Sequence, residues 1–191
     1  MREKFNQLAA HQISYILLGR ETLPEHPVLL AGSFNPLHQG HILLLQAARE
    51  LTHRDGLFEL SVANVDKPPL DFSEVERRAV TICEAGGGVL TCAPTFLAKA
   101  GLFPKAWFAM GYDTAVRLLD RKYHPDVEFM LAQFDALDTR FIVAGRLQQN
   151  RFQSLEQLAI PAGFNHLFIQ IPESLFREDI SSTALRQMDD C

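Results

Sequence analysis

Hydrophobic residues along the chain fall into two patterns that alternate from Val28 onward. One pattern is a short apolar run, typical of a buried strand, and the other is apolar residues three or four apart, typical of an amphipathic helix. The apolar runs predict strands at residues 28–32, 57–64, 89–93, 106–111, 140–145 and 166–171. The helical spacing predicts helices at residues 4–18, 39–54, 72–85, 95–102, 114–122, 127–137 and 182–188.

The alternation of strands and helices predicts the fold class. Strands that are apolar on both faces indicate a mostly parallel sheet covered by helices on each side. We therefore predict an α/β fold, a Rossmann-like doubly wound parallel sheet of five or six strands. Residues 1–27 are expected to form a leading helix and a connector, and residues 28–191 the main domain. The polar segment 146–161 is predicted to be a loop with a short helix.

The composition restricts the classes of partner. Of the 191 residues, 47% are hydrophobic and 21% are charged, which is enough apolar material for a core. The formal net charge of −5 argues against a nucleic-acid or membrane-surface partner, although local positive groups can still bind an anion. No C-x-x-C pair and no long apolar N-terminal stretch is present, so we expect reduced thiols and a cytoplasmic location. Oligomeric state, including a homo-oligomer, stays open.

A loop of unusual composition, "GSFNPLHQGH" at residues 32–41, lies between the first predicted strand of the main domain and the helix that follows. In a parallel sheet, ligands bind at the carboxyl ends of strands, beside helix N-termini that attract phosphate. Gly32 and Gly40 allow the backbone to approach a ligand closely. His38 and His41 are three residues apart and can face one ligand, where their ring nitrogens can donate to phosphate oxygens. The loop therefore predicts a phosphate site.

A second string, "DISSTALR", stands near the C-terminus. Its hydroxyls at Ser181, Ser182 and Thr183 can cap the last predicted helix and leave backbone N–H groups free for an anion. Arg186 follows one turn later and can bind phosphate through its guanidinium. Taken alone, this string is better explained as an ordinary N-cap followed by a solvated arginine.

Other phosphate and metal motifs do not fit the loop. A Walker loop requires G-K-[ST], and no lysine follows Gly40, while a dinucleotide fingerprint requires three spaced glycines. Two histidines three apart can bind zinc, but no cluster of cysteine or histidine supplies the remaining ligands. We therefore predict phosphate binding rather than a protein metal site.

Together the two strings resemble the nucleotidylyltransferase superfamily, which has an H-x-G-H motif after its first strand and I-S-S-T-x-x-R near its end. "GSFNPLHQGH" matches the first motif and "ISSTALR" the second. The likeness is strongest to the nicotinamide mononucleotide and nicotinate mononucleotide adenylyltransferases, and "MGYDTAVRLL" at residues 110–119 resembles their G-x-D segment. The resemblance spans roughly residues 28–187.

This resemblance implies transfer of a nucleoside monophosphate from ATP (or CTP) to a small phosphorylated acceptor, with release of pyrophosphate. Catalysis would come from positioning and charge stabilisation, with His38, His41 and Arg186 on the triphosphate. Mg²⁺ would bridge phosphate oxygens through substrate and water, without protein ligands. The resemblance also implies nucleotide-binding roles for Gly32, Ser33, Phe34, Gly40, Gly111, Asp113, Ser181, Ser182 and Thr183.

The acceptor is less closely defined than the reaction. The segment "NVDKPPLDF" follows the second predicted strand, and the resemblance suggests Asn64 and Lys67 as acceptor-binding residues. Its two prolines fit a plain rigid loop equally well. The family's pyridine-stacking tryptophan is absent after the G-x-D segment, where Tyr123 could take its place. The leading interpretation is synthesis of NAD or its deamido form. The alternatives are a cytidylyl- or adenylyltransferase for phosphopantetheine or a phospho-alcohol, and a non-catalytic nucleotide-binding protein.

Overall fold

The computed structural model describes residues 1–63, 68–148 and 151–176. Its helices are α1 (Arg2–Ala9), α2 (Gln39–Thr52), α3 (Phe72–Glu84), α4 (Phe96–Leu102), α5 (Tyr112–Leu119) and α6 (Val127–Ala136). Its strands are β1 (Tyr15–Leu18), β2 (Val28–Gly32), β3 (Gly56–Ser61), β4 (Gly88–Thr91), β5 (Trp107–Gly111), β6 (Phe141–Ala144), β7 (Arg146–Gln148), β8 (Arg151–Gln153) and β9 (Phe168–Ile171). Two short 3₁₀ helices, Leu155–Gln157 and Asn165–Leu167, precede β9. The predicted helix at 182–188 lies outside the described residues.

Seven strands form the main sheet, in the order β1-β4-β3-β2-β5-β6-β9. Strand β2 pairs in parallel with β3 on one side and with β5 on the other, and the pairs β3–β4, β5–β6 and β6–β9 are parallel as well. From β2 the chain first builds the sheet in one direction, through β3 and β4, and then in the other, through β5, β6 and β9. This order confirms the predicted Rossmann-like, doubly wound α/β fold.

The N-terminal segment differs from the prediction of a helix over residues 4–18. Helix α1 ends at Ala9, and His11 has a left-handed φ of 55°, which a continuing helix does not allow. Residues 15–18 then form β1, which pairs antiparallel with β4 and is the seventh strand of the sheet. Ile16 and Leu18 are buried while their neighbours are half-buried, a two-residue period. The apolar residues here fit helical spacing too, so periodicity alone could not separate the two structures.

The polar segment 146–161 was predicted to be a loop with a short helix, and it also contains two strands. Strands β7 and β8 form an antiparallel hairpin in which Arg146 is paired with Gln153. A side chain at Gly145 would overlap the Phe152 ring, so glycine allows the hairpin to fold back onto the end of β6. The hairpin places Arg146 directly beyond the carboxyl end of β6.

Each face of the sheet has its own hydrophobic core, because neighbouring residues of a strand point to opposite faces. Leu30, Phe58 and Leu60 pack with buried residues of α1, α2 and α3. Leu29 and Phe108 pack on the other face with buried residues of α4, α5 and α6. These two layers explain why the strands are apolar on both sides. No described helix is long and apolar enough to cross a membrane.

A buried ion pair links β3 to α4 on the face of the sheet that is covered by α4, α5 and α6. The Glu59 side chain is fully buried, and Lys99 Nζ lies 3.1 Å from Glu59 Oε2 and donates to Glu59 Oε1 at 3.2 Å. Thr91 Oγ1 donates to the same Oε1 at 2.6 Å, and Lys99 Nζ also donates to the Ala93 carbonyl. Burial raises the pKa of the Glu59 carboxyl, and the charge of Lys99 opposes that shift. The pair fixes α4 and the chain after β4 to the sheet.

Removal of one partner of this pair should destabilise the fold. Lys99→Met leaves a buried carboxylate without its cation, so we expect the free energy of unfolding to fall by about 3–5 kcal/mol in chemical denaturation. The double variant Glu59→Leu with Lys99→Met replaces both charges by apolar groups and should recover most of the loss. A wild-type free energy of unfolding for Lys99→Met would show that the pair does not stabilise this region.

Candidate active site

The candidate site lies where the order of strand addition reverses, between β2 and β5. In doubly wound sheets this crevice, beyond the carboxyl ends of the strands, is the usual place for ligands. A cavity of about 280 Å³ opens here. Its walls come from β2 and α2, from β5 and α5, from the end of β6, and from one residue near the end of the described chain. The lining residues are Leu30, Ala31, His38, Gly40, His41, Leu44, Met110, Gly111, Tyr112, Asp113, Thr114, Ala144, Gly145, Arg146 and Phe176.

The two histidines stand together at the N-terminus of α2. His38 is the N-cap residue, and His41 lies in the first turn. Their ring centroids are 3.7 Å apart, and the ring planes are inclined by 31°. The His38 backbone N–H donates to His41 Nδ1 at 3.3 Å. Because Nδ1 accepts this bond, the neutral His41 ring carries its proton on Nε2, where it can donate to a ligand.

His41 is neutral at physiological pH in this arrangement. Burial, and to a smaller extent the charge of the nearby His38, lower its pKa to about 4. A phosphate group bound beside the ring would favour the protonated form and raise this pKa again. The site therefore combines uncharged hydrogen-bond donors with the positive end of a helix dipole, and it can gain positive charge when an anion arrives.

The loop before α2 is fixed by the core rather than by the cavity. The Phe34 ring is 2% exposed and packs edge-on against Phe58 and His41, with centroid separations of 5.3 and 5.2 Å. A Cβ on Gly32 would lie 2.7 Å from the Phe34 ring, so the glycine makes room for it. Neither residue lines the cavity, and nor does Ser33. The Phe34 ring packs against His41, and a contact of Gly32, Ser33 or Phe34 with a nucleotide stays a prediction.

Asp113 and Arg146 face each other on the other side of the cavity. Gly111 is the N-cap of α5, and Asp113 lies in the first turn of that helix. The Asp113 carboxylate forms an ion pair with Arg146, and the two side chains are 45% and 40% exposed. Arg146 was not predicted as a site residue. Its position directly after the buried run of β6 was the available signal, since carboxyl ends of parallel strands meet at one edge of a sheet.

The remaining predicted residues are not brought to the cavity or lie beyond the described chain. Tyr123 is 41% exposed, does not line the cavity, and packs under the Arg117 guanidinium at 4.9 Å. The predicted residues outside the described ranges are Asn64, Lys67, Ser181, Ser182, Thr183 and Arg186. Their shared site with the histidines stays a prediction.

Two further features bear on the choice of site. A larger and more open depression of about 580 Å³ lies at the far end of α2, lined by Gln46, Arg49, Glu50, His53, Arg54 and Asp55. It contains none of the predicted residues and lies at the amino ends of the strands, where ligands of this fold class do not bind.

Within the described ranges, no group of three or more His, Cys, Asp or Glu side chains is arranged to hold a metal ion.

The low pKa of His41 should make stability depend on pH. Between pH 6.5 and 4 the unfolded chain binds a proton at this position and the folded chain does not, so stability falls as the pH is lowered. The expected contribution is about 3 kcal/mol across this window. In chemical denaturation, His41→Asn should lose less stability than the wild type over the same range. The exposed His11 provides the control, and His11→Asn should keep the wild-type slope. Equal slopes for wild type and His41→Asn would contradict the assignment.

Comparison with known proteins identifies the family to which this chain belongs. A search among curated proteins finds no significant match. The family model described as cytidylyltransferase-like matches residues 29–188, which include both histidines, Asp113 and Arg146. Since this match covers most of the chain, the protein belongs to the cytidylyltransferase-like family of the nucleotidyltransferase superfamily.

Proposed function

We propose that this protein is an adenylyltransferase that moves AMP from ATP to nicotinamide or nicotinate mononucleotide and releases pyrophosphate. Its family supports nucleotidyltransferase activity in general, with binding of a nucleoside triphosphate and a phosphorylated acceptor. The observation that carries the proposal is the stacked pair His38 and His41 at a helix N-terminus, inside the cavity between β2 and β5. The choice of ATP and of a pyridine mononucleotide follows from the resemblance of the sequence motifs.

The proposed reaction needs no protein nucleophile. A phosphate oxygen of the acceptor attacks the α-phosphorus, a new P–O bond forms, and the bond to the bridging oxygen of the β-phosphate breaks, so that pyrophosphate leaves. Negative charge spreads over the transferring oxygens in the transition state. The Nε2–H of His41 and the N–H groups at the start of α2 would donate to the oxygens that carry this charge. His38 fixes the His41 ring through its backbone N–H.

The other wall of the cavity fits the remaining parts of the two substrates. Asp113 can accept hydrogen bonds from hydroxyl groups of the nucleoside, and Arg146 adds one cation that compensates this carboxylate. A volume of about 280 Å³ is close to the lower limit of ~300–1,000 Å³ for small-molecule sites, so the described cavity accommodates part of the nucleotide. We propose that Ser181, Ser182, Thr183 and Arg186 bind the β- and γ-phosphates and complete the site. Phe176, five residues before Ser181, lines the cavity, and five residues span at most ~18 Å.

Mg²⁺ is proposed to arrive with the triphosphate. Among the residues that line the cavity, Asp113 is the one carboxylate, and it is already paired with Arg146. The ion would then be held by phosphate oxygens and water rather than by a cage of protein oxygen ligands. Bound in that way, the ion would neutralise charge on the phosphates.

A second candidate acceptor follows from the position of Tyr123. The side chain that was expected to stack on a pyridine ring lies away from the cavity. A transferase for another phosphorylated acceptor, such as phosphopantetheine or a phospho-alcohol, with ATP or CTP as donor, is therefore the alternative.

Pyrophosphate release should be measured with ATP and CTP against nicotinamide mononucleotide, nicotinate mononucleotide, phosphopantetheine and phosphocholine. Release with ATP and a pyridine mononucleotide alone supports the proposal. Release with another pair supports the alternative, and ATP binding without any release indicates a non-catalytic binding protein.

Loss of the His41 imidazole should abolish most turnover. We expect His41→Ala to lower kcat by about 10²- to 10³-fold, the usual cost of one donor to a developing charge. The variant should stay folded by circular dichroism. His124, which does not line the cavity, is the matched control, and His124→Ala should keep the wild-type kcat. Normal turnover by His41→Ala would exclude this residue from the reaction.

Arg186 tests whether the C-terminal motif binds the same nucleotide. Arg186→Ala should raise the Kd for the triphosphate by about tenfold or more, since a charged hydrogen bond to phosphate contributes about 1.5–3 kcal/mol. Calorimetry with ATP and with AMP separates the two ends of the nucleotide, because only ATP has β- and γ-phosphates. Arg121→Ala is the control, as Arg121 is exposed and paired with Glu128. An unchanged affinity for ATP would remove Arg186 from the site.

A further inference from the structure

Arg78 is a buried cation that the proposed reaction does not use. It lies on α3, is 6% exposed, and does not line the cavity. Its Nη1 donates to the backbone carbonyl of Ser33 at 2.9 Å, and its Nη2 donates to Glu74 Oε2 at 2.5 Å. Its Nε is buried and makes no hydrogen bond within the part of the chain that the structure describes. Burial of such a charge is costly, so its contacts call for an explanation.

The carbonyl that Arg78 holds belongs to the loop before α2. Two more contacts fix the next two residues of that loop, Phe34 and Asn35. Arg77 Nη2 donates to Asn35 Oδ1 at 2.7 Å, and the Phe34 ring is buried against Phe58. Phe34 itself has a left-handed φ of 45°, which a bulky residue adopts only when its surroundings impose it. Helix α3 and the core thus determine the conformation of residues 33–35.

The contact with Ser33 also sets the direction of a peptide unit. Because the peptide is planar and trans, the Ser33 carbonyl and the Phe34 N–H point in opposite directions. A carbonyl that is held toward α3 therefore turns the Phe34 N–H away from α3. It also fixes the entry angle of the chain that leads, over the next residues, to His38 and His41.

We propose that Arg78 is a positioning residue, which holds the β2–α2 loop so that His38 and His41 meet the phosphates of the nucleotide. This inference rests on the proposed function, because it assigns the role to the same site. Arg78 acts through Ser33 and not by contact with substrate. Without it, the Ser33 carbonyl loses its attachment to α3, and the histidine pair loses its fixed position at the cavity.

The competing explanation is that Arg78 only stabilises the fold, through its i, i+4 ion pair with Glu74. The chain contains a matched control for this explanation. Lys99 is also a buried cation, 5% exposed, with one carboxylate partner and one backbone carbonyl, but it lies on the opposite face of the sheet. Each of Lys99→Met and Arg78→Met therefore removes a buried cation that contacts one carboxylate and one backbone carbonyl. The Glu59 carboxylate is buried and the Glu74 carboxylate is 39% exposed. Only Arg78→Met releases the histidine loop.

The test compares Arg78→Met, Arg78→Lys and Lys99→Met in the full chain. Three quantities are measured: the free energy of unfolding, the Kd for ATP and for CTP by calorimetry, and the ring resonances of His38 and His41 by NMR without ligand. We expect Arg78→Met to shift both sets of ring resonances and to weaken nucleotide binding at least tenfold. Arg78→Lys should recover part of the affinity, since its ammonium can still donate to the Ser33 carbonyl. Lys99→Met should lose stability, while the ring resonances of His38 and His41 keep their wild-type positions. Its nucleotide affinity should stay within about twofold of the wild type.

The proposal is overturned if Arg78→Met keeps the wild-type resonances and nucleotide affinity, or if Lys99→Met changes them as much. If Arg78→Met does not fold, the double variant Glu74→Leu with Arg78→Met removes both charges at similar volume and carries the same test. These readouts do not require turnover. A wild-type protein that releases no pyrophosphate with any acceptor would refute the proposed transfer, while the resonances and affinities would still decide the role of Arg78.

Discussion

Strand β2 pairs in parallel with β3 on one side and β5 on the other, and the position of the site depends on this arrangement. Because the following helices pack on opposite faces, the loops after β2 and β5 separate and leave a crevice between them. Helix α2 and helix α5 both begin at this crevice, so two helix N-termini border one cavity. The histidine pair and Asp113, which are far apart in sequence, meet there for this reason.

The electrostatics of the cavity suit a polyanion even though the protein is acidic. The formal net charge is −5, but Arg146 compensates the one carboxylate that lines the cavity. His41 is neutral because it is buried next to His38. A neutral donor can be kept in a half-buried position at lower cost than a fixed charge, and the helix dipole supplies positive potential without desolvating an ion. Such a site can bind phosphate groups and still release them.

Much of the fold could be predicted from the sequence, because buried parallel strands are apolar on both faces and are easy to recognise. Strand β1 was missed, because Ile13, Ile16 and Leu17 fit helical spacing and the strand has only four residues. The histidine loop was recognisable from its unusual composition. The inward direction of Phe34 and the buried contact of Arg78 were not, because they depend on residues from β3 and α3 that lie far along the chain. Arg146 was hidden within a polar segment whose hairpin the periodicity did not reveal.

The proposed reaction requires the phosphates of a nucleoside triphosphate to bind against His41 at the start of α2. The most direct measurement is an NMR titration of the His41 ring with a non-hydrolysable ATP analogue and Mg²⁺, with the pKa determined in the free and bound states. With the phosphates at this position, the His41 resonances should shift on binding and the pKa of His41 should rise from about 4, because the phosphates stabilise the protonated ring. If calorimetry shows that the analogue binds while the resonances and the pKa of His41 stay unchanged, the nucleotide binds elsewhere and the account is wrong.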